Sequence, residues 1–171
     1  MKKIITILLI ASIFSACSNK KQEKLAEVKK AESELFGNMS APIDMKKAES
    51  IIVLYSSFVA DYPDDSNSVA MMLKAAEISM NIGKPKDAIA LLDRLILKYP
   101  SSEFVPKALH LEGFIYDDKL KNAEMSRKTF EKLIEKYPNH ELSRNAKDYM
   151  TTIGKSEEEI IKEFEEKNKT N

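Results

Sequence analysis

Two histidines and three acidic clusters are the side chains whose types suit acid–base or metal chemistry. His110 and His140 have no cysteine or clustered carboxylate near them in the sequence, whereas metal sites bring several such ligands together. The acidic clusters Asp64–Asp65, Asp117–Asp118 and Glu157–Glu159 fall where we expect turns or helix starts, and the helix dipole favours negative charge at helix starts. Glycine-rich phosphate loops, nucleophile elbows and HExxH motifs are absent. The sequence therefore predicts no metal, no cofactor and no catalytic residue.

Cys17 is the only cysteine of the chain, and its position favours lipid attachment over redox chemistry. It follows a basic start and the apolar run Ile4–Phe14, which is too short to span a membrane but typical of a secretory signal. The segment FSAC resembles the lipobox of bacterial lipoproteins, with phenylalanine where leucine is usual. That resemblance implies cleavage after Ala16, acylation of Cys17 and, because Ser18 follows, sorting to the outer membrane. The alternative is a buried or incidental cysteine.

The charge balance argues against a nucleic-acid partner. Lysine plus arginine and aspartate plus glutamate each number 27. Loss of residues 1–16 would remove two lysines and leave a slightly acidic chain, so phosphate neutralisation by a basic surface is not expected.

Three Tyr-Pro dipeptides recur at nearly constant spacing and predict a helical repeat. Pro63, Pro100 and Pro138 lie 37 and 38 residues apart, a period typical of helical repeat proteins. Fixed offsets before these prolines form a stripe at helical spacing: Ile51, Ala88 and Ser126; Tyr55, Leu92 and Phe130; Phe58, Leu95 and Leu133. Since proline cannot continue a helix, each Tyr-Pro should end one helix, and the polar residues that follow should cap the next.

Small residues predict where helices pack closely or end. Ala76 and Gly113 each stand thirteen residues after a Tyr-Pro proline and should allow a second helix to approach. Gly83 is a candidate helix C-terminus, and Pro85 suits the first turn of the next helix.

This pattern resembles the tetratricopeptide repeat from about Lys20 to Met150. The matching positions are Ala76, Gly83, Ala88, Leu92, Leu95, Tyr99, Pro100, Gly113, Phe130, Leu133, Tyr137 and Pro138. The spacing exceeds the usual length of about 34 by three or four residues, one of them in the turn at Asp117–Lys121. Tyr-Pro followed by small polar residues in a lipoprotein looks most like the BamD-type outer-membrane assembly lipoproteins. The resemblance implies an all-α, right-handed solenoid of tetratricopeptide-like helical hairpins with a C-terminal capping helix.

The predicted organisation has five parts. They are a signal peptide at 1–16, a lipidated cysteine and polar tether at 17–24, about 3.5 repeats at 25–153, a capping helix at 154–167 and a disordered tail at 168–171. Helices are expected near 21–36, 44–61, 66–82, 85–98, 103–116, 121–136 and 140–152. Ser156 and Glu159 form a candidate capping box for the last helix.

In tetratricopeptide proteins the first helix of each hairpin lines a partner-binding groove. Transfer of that frame by offset from each Tyr-Pro assigns Leu73, Glu77, Lys107, His110, Phe114, Asn145 and Asp148 to the groove. The alternative is an ordinary solvated groove.

Two hypotheses for function follow. The first is a non-catalytic, lipid-anchored scaffold that faces the periplasm from the outer membrane and binds envelope or outer-membrane proteins, in outer-membrane protein assembly or envelope maintenance. The second is a lipoprotein that captures a solute or glycan, which would favour an aromatic-lined pocket, although the chain contains no tryptophan.

Overall fold

The protein folds as a succession of helices. The computed structural model describes residues 2–37 and 42–169, without the side chains of residues up to 18 and of residues 157, 163, 164 and 167–169. The helices are α1 (Lys2–Phe36), α2 (Met45–Asp61), α3 (Ser66–Asn81), α4 (Pro85–Lys98), α5 (Val105–Phe114), α6 (Ala123–Lys136), α7 (Glu141–Met150) and α8 (Glu157–Lys169). The all-α helical-repeat class predicted from the sequence is confirmed.

The chain divides into two compact units. The N-terminal unit, Met1–Ile82, contains α1 to α3, and the C-terminal unit, Gly83–Asn171, contains α4 to α8. In the first unit α1 packs on α2 and α2 packs on α3; in the second, α4 to α7 pack on one another in succession. None of the helices, over the residues described, is both long and apolar enough to cross a membrane.

Helices α1 and α8 form the two ends of the chain. From Lys2 onward, the backbone of the predicted signal peptide and tether lies within α1, and the side chain of Cys17 lies outside the described residues. Helix α8 begins with the predicted capping box, since the Ser156 N–H donates to Glu159 Oε2 at 2.7 Å and the Glu159 N–H donates to Ser156 Oγ at 3.2 Å. It continues to Lys169, and the last two residues of the predicted tail lie outside the described part.

All three Tyr-Pro joints have the same backbone conformation. Tyr62, Tyr99 and Tyr137 end α2, α4 and α6 with φ between −132° and −126° and ψ between 56° and 61°. Each tyrosine N–H donates to the carbonyl four residues earlier, and each tyrosine carbonyl accepts from the N–H three residues later, at distances between 2.8 and 3.1 Å. The predicted helix end is therefore a backbone turn in which both the N–H and the carbonyl of the tyrosine are hydrogen-bonded.

Side chains after the first and third prolines cap the next helix, as the sequence predicts, whereas α5 begins after Phe104 without a side-chain cap. Asp65 accepts from the Asn67 N–H at 2.9 Å, Ser102 Oγ accepts from the Phe104 N–H at 3.2 Å, and His140 Nδ1 accepts from the Leu142 N–H at 3.1 Å. In the first and third joints a serine hydroxyl, of Ser68 and Ser143, also donates to the tyrosine carbonyl at 2.6 Å.

The apolar stripe predicted before each proline forms the core. Ile51, Tyr55 and Phe58 on α2, Ala88, Leu92 and Leu95 on α4, and Ser126, Phe130 and Leu133 on α6 are all fully buried. The tyrosines of the three joints are half-buried.

Gly113 permits the close approach of α5 and α6. A methyl group at this position would lie 2.7 Å from Cε1 and 2.8 Å from Cζ of Phe130, and Phe130 is fully buried. The predicted role of a small residue here is therefore confirmed by direct contact with the core of the C-terminal unit.

The extra residue predicted in the turn at 117–121 appears as a π-helical segment, Ile115–Lys119, at the end of α5. The Leu120 N–H donates to the Ile115 carbonyl at 3.0 Å, five residues back, and the Asn122 N–H donates to the Tyr116 carbonyl at 2.7 Å. Lys121 then takes a positive φ of 51°. A π-helical turn absorbs one inserted residue without breaking the helix.

Gly113→Ala should destabilise the protein by about 1–3 kcal/mol, the usual cost of overpacking a filled core. Glycine-to-alanine changes in a helix interior ordinarily stabilise by about 0.5–1 kcal/mol, so the sign of the change reports the contact with Phe130. Denaturant unfolding measures it. The matched control is the same change in a Phe130→Leu background, where Gly113→Ala should cost less than it does in the parent. A stabilised single variant would show that the two helices are not in tight contact here.

Candidate protein-binding face

The predicted groove residues of the C-terminal unit lie on two helices that pack together. Lys107, His110 and Phe114 are spaced three and four residues apart on α5 and share one side of it. Asn145 and Asp148 are three residues apart on α7, and α7 packs against α5. We call the surface formed by these residues together with Tyr149 the α5–α7 face.

A cluster of four aromatic rings, three of them part of this face, connects it to the core. Ring centroids are 5.7 Å apart for His110 and Phe130, 5.5 Å for Phe130 and Tyr149, and 6.0 Å for Phe114 and Tyr149. Aromatic pairs at these separations and tilted angles attract one another beyond the burial of their area. Phe130 is fully buried, whereas the other three rings are half-buried, so the cluster joins the core to the surface.

Tyr149 fixes the end of the face to the π-helical segment. Its hydroxyl donates to Asp117 Oδ2 at 3.0 Å, and burial, followed by this hydrogen bond, raises the pKa of Tyr149 well above its ordinary value. The phenol therefore stays protonated and keeps its hydrogen bond at physiological pH.

Exposed polar side chains surround the half-buried rings. Lys107, Asn145 and Asp148 are all exposed. The α5–α7 face thus combines partly exposed aromatic area with cationic, amide and anionic groups at its edge, a composition typical of protein interfaces.

The two predicted groove residues of the N-terminal unit lie on α3. Leu73 is only 3% exposed and belongs to the buried residues of that helix. Glu77 is half-buried, and its charge adds to the burial and the hydrogen bond with Glu32 that raise the pKa of Tyr55.

Both histidines contribute to the packing or capping of helices. Burial lowers the pKa of His110, which favours the neutral imidazole beside Phe130. His140 caps α7 through Nδ1. Over the residues that can be described, histidine, cysteine and acidic side chains nowhere gather in a group of three suited to a metal ion.

Glu112 is a buried acid that sequence reasoning missed. It is 6% exposed, and its Oε2 atom accepts no hydrogen bond from the described residues. Burial, and then the negative charge of Asp93 on α4, raise the pKa of Glu112 to about 7, while Lys132 on α6 opposes them. Tyr116 is the other titratable neighbour, and its own pKa is raised by burial and by these two acids.

A cleft of about 560 Å³ lies beside the π-helical segment and the start of α8. It is lined by polar side chains that include Asp117, Lys121, Tyr149, Thr152, Lys155 and Ser156. Two of its acids are already engaged, since Asp117 accepts from Tyr149 and Asp118 pairs with Lys119 at 2.7 Å.

Sequence reasoning also missed Tyr149, Phe130 and Arg127 as organisers of the site. Arg127 donates to the carbonyls of Met150 at 3.1 Å and Ile153 at 2.9 Å, and so holds the end of α7 against α6. Tyr149 directly follows Asp148, which the spacing assigned to the groove. Its contact with Phe114 depends on the angle between the two helices, which the spacing of residues alone does not give.

The parent protein should lose stability as the pH rises, because Glu112 is buried. Glu112→Gln should remove this loss. The folded chain holds the carboxyl proton up to about pH 7, whereas the unfolded chain releases it near 4.5. The free energy of unfolding therefore falls through this window, by at most about 3 kcal/mol. Above pH 7 the variant should be the more stable protein, and below pH 4.5 this difference should be absent.

Denaturant unfolding from pH 4 to pH 8 measures the effect. Glu124→Gln is the matched control, because Lys128 lowers the pKa of the exposed Glu124 and its removal should leave the loss of stability in place. A Glu112→Gln profile parallel to that of the parent would contradict the assignment.

Two segments of the chain, residues 70–102 and 107–140, match the family model described as tetratricopeptide repeat. The chain is also similar to "Outer membrane protein assembly factor BamD" of Xylella fastidiosa. The protein from strain 9a5c is 25% identical, over 59% of this chain and 40% of the relative. The protein from strain Temecula1 is likewise 25% identical, over 58% of this chain and 40% of the relative.

The chain thus aligns with less than half the length of these curated relatives. The matched segments contain the second and third Tyr-Pro joints and every residue of α4, α5 and α6 apart from Val105 and Pro106. This chain is therefore a helical protein that is similar, over two segments, to the tetratricopeptide repeat and, over part of its length, to an outer-membrane assembly factor.

Proposed function

We propose that this protein is a non-catalytic, lipid-anchored scaffold that binds protein partners on the periplasmic side of the outer membrane. Its role would lie in outer-membrane protein assembly or envelope maintenance. The observation that carries the proposal is the α5–α7 face, where the half-buried pair Phe114 and Tyr149 is bordered by exposed Lys107, Asn145 and Asp148.

This face suits an extended or helical protein segment. A partner side chain that covers the exposed part of Phe114 would bury aromatic area, the kind of contact that dominates many interfaces. Lys107 and Asp148 supply charges of opposite sign at the edge, which would orient a partner more than hold it. The site needs no preformed pocket for such a ligand.

Lipid anchoring is supported by the sequence around Cys17 and by the similarity to BamD. Each buried methylene stabilises membrane attachment by about 0.8 kcal/mol, and two or more acyl chains make it stable. With the thiol acylated, no other cysteine remains in the chain, which agrees with a scaffold that has no thiol chemistry.

Solute capture is the second candidate, and the cleft beside α8 is the observation that favours it. Its volume of about 560 Å³ falls in the range of small-molecule sites. Tyr149 is the aromatic residue among its described lining residues, and its hydroxyl already bonds Asp117. The cleft therefore offers little ring surface for a sugar, and we rank this function below protein binding.

Photo-crosslinking in living cells should identify the binding face. A photoreactive amino acid at Lys107 or Asn145 should give crosslinked products with envelope proteins, because both positions are exposed on the α5–α7 face. The matched controls are Glu131 and Glu135, which are exposed on α6 and should give no such products. Products obtained from the α6 positions alone would place the binding surface elsewhere and contradict this assignment.

Cys17→Ser should abolish membrane attachment or leave the unprocessed precursor. The reason is that the Sγ atom of Cys17 is the atom to which the lipid would be attached. Membrane fractionation and the intact mass of the protein measure both outcomes, and Ser18→Ala is a neighbouring control that should keep the lipid. Membrane retention of Cys17→Ser at the same mature mass as the parent would refute the anchor.

A further inference from the structure

We propose that the α2–α3 joint, residues 61–66, faces the bilayer that carries the acyl anchor. The N-terminal unit would then stand with this end at the membrane surface, without a flexible spacer between anchor and fold. The inference rests on the proposed acylation of Cys17 and adds to it the surface of the protein that meets the lipid.

Among the described side chains of α1, Lys21 and Lys24 contact the joint, four and seven residues beyond Cys17. Lys21 Nζ lies 3.0 Å from Asp65 Oδ2, and Lys24 pairs with Asp61 and donates to Ser57 Oγ at 2.7 Å. Asp61 is the last residue of α2, and Asp65 caps α3. The start of the mature chain would therefore be fixed to the joint rather than to the other end of these helices.

Further contacts along α1 keep it docked. Val28 is buried, and Glu32 accepts from the Tyr55 hydroxyl at 2.6 Å and from Lys74 Nζ at 2.7 Å. Burial alone would raise the pKa of Glu32, but the hydrogen bonds from Lys74 and Tyr55 hold it below its ordinary value. Exposed ion pairs contribute little by themselves, so it is the combination with buried Val28 and Tyr55 that fixes the helix.

The chain between anchor and joint is too short to act as a spacer. Lys21 is four residues beyond Cys17, which spans about 6 Å as a helix and at most about 14 Å when fully extended. The opposite end of α2, at Met45, lies sixteen residues from Asp61 along a helix of 17 residues, or about 24 Å away. The joint end must therefore be the part of α2 nearer the lipid.

The charges at the joint are compatible with a headgroup layer. Lys21 and Lys24 pair with Asp65 and Asp61, so these two carboxylates are neutralised. The exposed side chains of Lys20 and Asp64 are of opposite sign. The joint thus presents no strong net charge of either sign to the bilayer.

Depth-dependent fluorescence quenching tests the inference, since the chain has no tryptophan of its own. Asp64→Trp places a reporter at the joint, and Lys46→Trp places the matched control at the other end of α2. Both proteins, purified with their lipid and returned to vesicles containing a headgroup-labelled nitroxide lipid, are compared. We expect quenching of Asp64→Trp to be several-fold stronger than that of Lys46→Trp. Equal quenching, or stronger quenching of Lys46→Trp, would overturn the inference.

A spacer variant separates the short connection from other causes. Insertion of about twenty Gly/Ser residues between Asn19 and Lys20 adds a flexible reach of about 25 Å and should abolish the difference between the two tryptophans. A difference that survives the insertion would mean that the short connection is not its cause, which overturns the inference.

The intact mass of each purified protein reports acylation independently of the quenching. Missing acyl chains would refute the proposed anchor and this inference with it. Normal acylation with equal quenching would refute this inference and leave the anchor standing.

Discussion

The backbone hydrogen bonds of three tyrosines, at the ends of α2, α4 and α6, are the constraint on which the rest of the structure depends. Proline stops each helix, but it does not determine the direction of the chain that follows. That direction comes from the tyrosine, whose N–H closes the helix behind it and whose carbonyl accepts from the residue three positions ahead. Because Tyr62, Tyr99 and Tyr137 share one backbone conformation, the chain leaves α2, α4 and α6 in the same way.

The α5–α7 face follows from two of these joints and one close contact. The joint at Tyr137 leads directly into α7, whereas the joint at Tyr99 is followed by a further turn before α5 begins at Val105. Gly113 lets Phe130 of α6 approach α5, and the ring of Phe130 in turn contacts Tyr149. The partly exposed aromatic surface is thus continuous with the core, which gives a partner a rigid support and reduces the entropy lost on binding.

The sequence predicted the bounds of α2, α3 and α4 well because strong local signals mark them, whereas α1 begins at Lys2 rather than near residue 21 and α5 at Val105 rather than near residue 103. Proline, glycine and the capping side chains act within a few residues, and the buried stripe repeats at fixed distance from each proline. The observed bounds of α2, α3 and α4 accordingly lie within one residue of the predicted ones. The π-helical segment was foreseen as one extra residue, but its hydrogen bonds could not be deduced from spacing alone.

The site was predicted less completely because its contacts join helices that are distant in the sequence. Lys107, His110 and Phe114 share a side of α5 by helical spacing, whereas Tyr149 reaches Phe114 only through the packing of α7 on α5. Leu73 has the same offset as groove residues elsewhere but is buried. Glu112 carries no sequence signal, since an acid in a helix is ordinarily solvated and its burial depends on α4 and α6.

Amide hydrogen exchange at the three joints tests the central claim most directly. The N–H groups of Asp65, Ser102 and His140 lie in short surface turns, where unbonded amides would exchange rapidly, yet each donates to a tyrosine carbonyl. If these bonds fix the direction of the helices, all three amides should exchange at least ~100-fold more slowly than in an unstructured peptide. Exchange at unstructured rates in the joints, with the flanking helices still protected, would contradict the account.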